Sequence, residues 1–89
     1  MTANIKQAKG RLKVKVFSPF QVFYQGDASS LSAVNKTGPF DVLYDHASFF
    51  SLLTSGEVVV GTGFQEFKFP ISRGIIKVTN NLVTVFVDV

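Results

Sequence analysis

The stretch LKVKV, residues 12–16, alternates apolar and charged side chains with a period of two. In an extended chain successive side chains point to opposite faces, so Leu12, Val14 and Val16 share one face and Lys13 and Lys15 the other. That pattern, repeated down the chain, constrains the fold more than anything else in it. No window carries apolar positions at i, i+3, i+4 and i+7 with helix formers between them, so strands must supply the architecture.

Turn signals divide the chain into short runs. Ser18-Pro19 ends the first run, because proline has no N–H to give a ladder. QVFYQ (21–25) follows and is expected to close at Gly26 and Asp27. SSLSAV (29–34) leads to a turn at NKTG (35–38), then PFDVL (39–43) and SFFSLL (48–53), which Ser55-Gly56 ends. EVVVGT (57–62) and EFKFPIS (66–72) flank Gly63-Phe64 as a hairpin. GIIKVT (74–79) and LVTVFVDV (82–89) flank Asn80-Asn81, and Asn tolerates the left-handed backbone of a tight turn. About ten short, mostly antiparallel strands predict an all-β fold, a flattened β-sandwich or barrel. The expected organisation is a flexible basic tail over residues 1–11 and a single domain over 12–89.

A domain of 89 residues buries little of its surface and has a thin stability margin. Apolar residues make up 46% of this one, with ten Phe and no Trp, which is enough for a small dense core. The absence of cysteine removes disulfides and thiolate zinc sites and fits a reducing compartment. No stretch approaches the roughly 18 apolar residues of a membrane helix. The start lacks the apolar segment of a signal peptide. The expectation is a soluble, intracellular chain with no direct membrane insertion.

The net charge of +3 is unevenly placed. Lys6, Lys9, Arg11, Lys13 and Lys15 lie in the first fifteen residues, and the remainder is net acidic. Nucleic-acid binders usually carry a broader positive footprint. Basic residues on a first strand serve more simply as a solvated edge that discourages aggregation. The last run differs, because Val83, Val85 and Val87 share one face while Leu82, Thr84 and Phe86 share the other. Both faces are mostly apolar, which fits either a covered outer face, and hence a partner, or a central strand with a little exposed hydrophobicity.

His46 is the only histidine and follows Asp45. A relay needs the carboxylate to touch the imidazole, and neighbours on an extended segment point apart. Ser48 shares the face of His46, but i and i+2 stand roughly 6–7 Å apart. A metal site would need ligands beyond one His and no Cys, and Asp41 and Asp45 reach it only by unusual folding. GTG (61–63) lacks the following helix that a phosphate loop requires. Glu57 and Glu66 read as two solvated carboxylates rather than an acid–base pair. No catalytic residue, cofactor or metal site is expected.

Three motifs in order carry a resemblance. LKVKVFSPFQVFYQG gives an alternating strand, Ser-Pro, an aromatic pair and Gly; TGPFDVLYDHA follows; ISRGIIKVTNNLVTVFVD closes the chain. Together they resemble the N-terminal β-sandwich of the epsilon subunit of F-type ATP synthases, over residues 12–89. The chain departs from the family where Pro-Gly before His-Ala becomes Tyr44-Asp45, where the following Pro becomes Ser48, and where Gly-Gly of the final hairpin becomes Arg73-Gly74. The turn before His46 is therefore expected to take its own shape.

The resemblance implies a ten-stranded sandwich and a non-catalytic subunit in the central stalk. That subunit joins the gamma subunit to the ring of c subunits, so that ion-driven rotation reaches the catalytic head. It associates with the cytoplasmic face of the inner membrane, or the organellar equivalent, through the complex. By position, Thr37, Gly38, Pro39, Phe40, Asp41, Val42, Leu43 and Tyr44 match the loop that faces the c-ring, with Phe40, Val42 and Leu43 expected as its apolar anchors. Ser18, His46 and Ser51 match positions near gamma. The family continues into two helices that brake the rotor and sense nucleotide; without them this chain is expected to couple without braking.

Two other classes compete. A nucleic-acid-binding small β-barrel would interleave strand aromatics with basic residues, and FKF (67–69) alone shows that pattern. A small β-barrel enzyme or ligand carrier would need a convergent polar pocket, which no motif supplies.

Overall fold

A computed structural model describes residues 10–88. Most of the expected basic tail, residues 1–9, lies outside the described residues. Nine strands follow in chain order among those described: β1 (Leu12–Phe17), β2 (Val22–Ala28), β3 (Ser30–Asn35), β4 (Gly38–Leu43), β5 (Phe49–Leu53), β6 (Gly56–Gly61), β7 (Glu66–Ile71), β8 (Arg73–Thr79) and β9 (Leu82–Asp88). They form a five-stranded sheet in the order β2-β1-β9-β8-β5 and a four-stranded sheet in the order β4-β3-β6-β7. Pairing is antiparallel throughout except between β1 and β9, which run parallel.

The period-two pattern decides which faces meet. Leu12, Val14 and Val16 of β1 are buried, while Lys13 points out. Val83, Val85 and Val87 of β9 are fully buried beside them. The opposing sheet contributes Leu31, Val42, Val58 and Val60, all fully buried. No polar or charged residue lies in this core among the described residues. Each large apolar side chain contributes roughly 1.5–3 kcal/mol by leaving water, so the interior rests on Val, Leu and Ile, with Ala28 and Ala33 filling the smaller spaces.

The ten phenylalanines are used elsewhere. The seam between β2 and β7 is closed by Phe23 against Phe69, with centroids 6.0 Å apart, and Tyr24 against Phe67 at 5.3 Å. Phe40 of β4 meets Phe49 of β5 edge-on at 5.7 Å and closes the other seam. Aromatic pairs of this kind contribute about 0.5–1.5 kcal/mol beyond their area. They seal the two open sides of the sandwich against water.

Two expectations about boundaries change. β2 does not stop at Gly26 and Asp27: Gly26 pairs with Val14 and Asp27 with Lys13, and the chain turns at Ser29. The final hairpin does turn at Asn80-Asn81, whose φ angles of 50° and 64° are the left-handed pair of a tight two-residue loop.

Candidate functional site

The segment matched to the c-ring side is mostly a strand. Residues 38–43 form β4, an edge strand paired with β3 from Asn35↔Gly38 to Ser30↔Leu43. Alternation then assigns its side chains to two faces. Val42 is fully buried and Phe40 packs on the core, so neither presents itself to a partner; the expectation that both anchor a docking loop is corrected. The outward set is Pro39, Asp41 and Leu43, and Tyr44 follows it at the strand end. Leu43 is 54% and Tyr44 42% exposed.

The turn into β4 is braced by its own side chains. The Asn35 Oδ1 accepts from the Thr37 N–H at 2.9 Å and from the Thr37 hydroxyl at 2.7 Å. Gly38 follows with φ 121°, a conformation side chains resist. Asp41 accepts a bond from the Ser32 hydroxyl at 2.6 Å across the ladder, which holds its carboxylate on the outer face of the smaller sheet.

The turn before His46 is set at Asp45. Asp45 adopts φ 64°. Its N–H donates to the Asn81 Oδ1 at 2.7 Å, and the Asn81 amide donates back to the Asp45 carboxylate at 3.4 Å. The β4–β5 turn is thereby tied to the tip of the β8–β9 hairpin. His46 is exposed, and its N–H donates to the Leu43 carbonyl at 3.1 Å. The ring lies 4.9 Å from that of Phe49. Its Nδ1 sits 2.8 Å from the Ala47 carbonyl oxygen, which can only accept, so Nδ1 carries the proton. The Asp45 carboxylate is turned to Asn81 instead of the imidazole, so no relay forms.

The three residues matched to gamma are not brought together. Ser18 lies in the turn after β1, its N–H donating to the Gln21 carbonyl at 2.8 Å and its Oγ accepting from Phe20 at 3.2 Å. Phe17 is opposite Phe86, near the end of β9, whereas His46 sits by Asn81, just before its start. The length of β9, about 20 Å at 3.3 Å per residue, separates them. Ser51 lies between, on β5, accepting from the Asn35 amide at 3.2 Å.

The remaining polar motifs are structural. Glu57 is opposite Pro70 and Glu66 opposite Gly61, so the two carboxylates stand at opposite ends of one hairpin. In GTG, the Thr62 Oγ1 accepts from the Phe64 and Gln65 amides at 3.3 and 3.2 Å and closes the β6–β7 turn. Phe67 and Phe69 face the seam, so FKF offers no stacking platform for bases. No group of His, Asp and Glu that could hold a metal occurs among the described residues. Among the described residues no helix is long and apolar enough to cross a membrane.

One surface was only half legible. Leu82 and Phe86 mark an apolar outer face on β9, and both are exposed, at 54% and 38%. Leu52 and Ile75 extend it, at 64% and 39% exposure, but single strands do not show that they lie in one line. Only the register, Leu52↔Ile75 and Ile75↔Phe86, aligns them.

Comparison with known proteins agrees with this architecture. The family described as ATP synthase, Delta/Epsilon chain, beta-sandwich domain matches residues 11–89. An ATP synthase epsilon chain of Francisella tularensis subsp. holarctica (strain FTNF002-00 / FTA) is 35% identical over 80 residues, covering 90% of this chain and 55% of the relative. One from Clostridium novyi (strain NT) is 30% identical over 78 residues, covering 85% and 59%. The chain thus spans a little over half the length of these relatives. A chain in the Euglena gracilis mitochondrial ATP synthase structure (OSCP/F1/c-ring) shares the fold with a TM-score of 0.80 at 16% identity, covering 86% of this chain and 50% of that one. A chain in the central stalk/c-ring structure of the Tetrahymena thermophila mitochondrial ATP synthase gives 0.74 at 14% identity, covering 88% and 63%. The chain belongs to the ATP synthase delta/epsilon family, of which it carries the β-sandwich domain.

Proposed function

We propose that this chain is a non-catalytic rotor subunit of an F-type ATP synthase, joining the gamma subunit to the ring of c subunits. The observation that carries the reading is the family match over residues 11–89, which takes in all but one of the described residues of a two-sheet sandwich. The titles of the two structural neighbours name a c-ring and a central stalk, which supports the same assignment. Residues 12–89 act as one rigid unit behind a basic tail. The subunit works at the cytoplasmic face of the inner membrane, or its organellar equivalent, held there by the complex.

Contact with the ring runs through the outward residues of β4 and its flanks: Thr37, Pro39, Asp41, Leu43 and Tyr44. Gly38 shapes the turn, while Phe40 and Val42 hold the strand to the core. Ser18, Ser51 and His46 are spread along the strand axis of the larger sheet. A gamma subunit that touches all three must follow that axis, which suits a shaft.

The chemistry expected of the isolated chain is none. A phosphate needs a cluster of free N–H groups such as a helix N-terminus supplies, and after GTG the Phe64 and Gln65 N–H groups are already bonded to the Thr62 hydroxyl. Calorimetry with Mg-ATP is expected to show no binding at micromolar concentration and no turnover. A micromolar dissociation constant would contradict the reading. Co-purification with gamma and c subunits is the positive test.

A further inference from the structure

The edge strands are β2 and β5 in the larger sheet and β4 and β7 in the smaller. An edge leaves one side of its backbone open to pairing with another chain, and proline, charge or irregularity guards against that. β4 carries Pro39 and Asp41, and β7 carries Glu66, Lys68 and Pro70. β2 carries Gly26 and Asp27, and its register with β1 shifts between Val16 and Phe17. β5 alone is unguarded: it reads FFSLL, without proline, glycine or charge, and its Phe50 and Leu52 are 63% and 64% exposed.

Hydrogen bonding shows which backbone groups of β5 are open. Just past its end, the Thr54 N–H donates to the Val34 carbonyl at 3.0 Å, on the side away from β8. Backbone groups of successive residues in an antiparallel strand point to alternate sides. Phe50 and Leu52 therefore turn their N–H and C=O groups away from β8, while Phe49, Ser51 and Leu53 turn theirs toward it. Among the described residues, no strand pairs with β5 on the open side. The Leu52 carbonyl accepts from the Ser51 hydroxyl at 3.2 Å and keeps a second lone pair.

An occupant of this edge must be extended and uncharged, with an apolar side chain opposite Phe50 and another opposite Leu52. β5 itself meets that description. Two copies running antiparallel about a twofold axis through Ser51 place Phe50 of each opposite Leu52 of the other. In that register the open residues meet one another, and each pair exchanges both backbone hydrogen bonds. The outer-face neighbours of Phe50 and Leu52 on β8 are Lys77 and Ile75, so the pairing sets no charge against a like charge. The guarded β2 at the far edge stops growth, which favours a closed dimer over a fibre.

We propose that the free chain forms a symmetric dimer through β5, joining two five-stranded sheets into one. The inference goes beyond the rotor assignment and is read without gamma or c subunits. Ser51 of the same strand belongs to the proposed gamma contact, so gamma and a second copy compete for it.

Sedimentation equilibrium of the full chain tests the proposal. So short an interface is weak, and a dissociation constant of about 100 μM is expected, with the mass levelling off at that of a dimer. Amide hydrogen exchange locates the contact in the parent itself. Exchange at Phe50 and Leu52 is expected to slow as concentration rises through that range, while Ser51, already turned to β8, does not change. Leu52→Pro removes an N–H that points away from β8, so it keeps the ladder and is expected to weaken the dimer about tenfold or more. Leu52→Val keeps the N–H and is expected to dimerise within about threefold of the parent. Melting at about 5 μM, where the chain is monomeric, checks the fold of both variants. If Leu52→Pro melts lower, the exchange measurement on the parent decides. A chain that stays monomeric to about 1 mM, growth beyond a dimer, or exchange at Phe50 and Leu52 that ignores concentration would overturn the proposal. So would a Leu52→Pro variant that melts like the parent and dimerises equally well.

Discussion

At the scale of single residues, Asp45 holds a left-handed backbone, and the structure shows how it is accommodated. A left-handed φ normally costs an L-residue about 1–2 kcal/mol, less for Asp, whose short side chain bonds locally. Here the bonding partner is Asn81, on another hairpin. Asp45→Gly is expected to leave stability nearly unchanged, because relief of the backbone offsets the lost carboxylate contact. Asp45→Ala keeps the backbone cost and loses the contact, and is expected to lower the melting temperature by about 4–8 °C for each kcal/mol lost in a domain of this size. Thermal denaturation of both variants measures the difference. Asp27 offers a second test. Its hydrogen bond from Lys13, at 2.9 Å, and the adjacent charge hold its carboxyl below the usual 3.8. A depressed folded pKa adds stability above the unfolded value, and that increment is lost as pH falls through the folded value. Asp27 is fully exposed, so the effect on stability is small. The titration itself is the readout: an NMR midpoint below 3.8 in the parent should rise in Lys13→Ala.

At the scale of strands, period two made the inner faces legible. Leu12, Val14 and Val16, and Val83, Val85 and Val87, are buried as their alternation requires. The Asn80-Asn81 hairpin was readable for the same local reason, since its turn chemistry lies within the turn. Long-range pairing was not readable. Nothing local shows that β1 runs parallel to β9, some seventy residues away, or that β4 is an edge strand rather than a loop. Val42 was misplaced as an anchor because its burial depends on β3 lying beside it. The phenylalanines were read as general core, yet six aromatic side chains in cross-seam pairs close the sides of the sandwich. Gly74 shows another contact that requires the fold: a Cβ there would meet the Phe86 carbonyl oxygen at 2.5 Å. β8 and β9 could not keep their spacing around it. Gly74→Val is expected to destabilise by about 1–3 kcal/mol, in the range of overpacked sites, as read by urea denaturation.

At the scale of the molecule, the sandwich acts as a rigid block with distinct surfaces. One is the outward side of β4, with Asp41 held by Ser32 and with Leu43 and Tyr44 exposed. The other is the apolar and basic face of the larger sheet. The expectation of no catalytic residue rests on residue types alone, since one His without Cys limits the chemistry. The residues proposed to dock come from family resemblance alone, and alternation separates the four that point outward on β4 and its end from the two that point in. The most direct test of the account is the affinity of Asp41→Lys with Tyr44→Ala for a purified complex of gamma and c subunits, with thermal melting as the folding control. Truncating anchors at an interface centre typically costs 2 kcal/mol or more, so the expected loss is about thirtyfold with melting unchanged. A variant that melts like the parent and binds the complex equally well would contradict the assignment of β4 to the rotor interface.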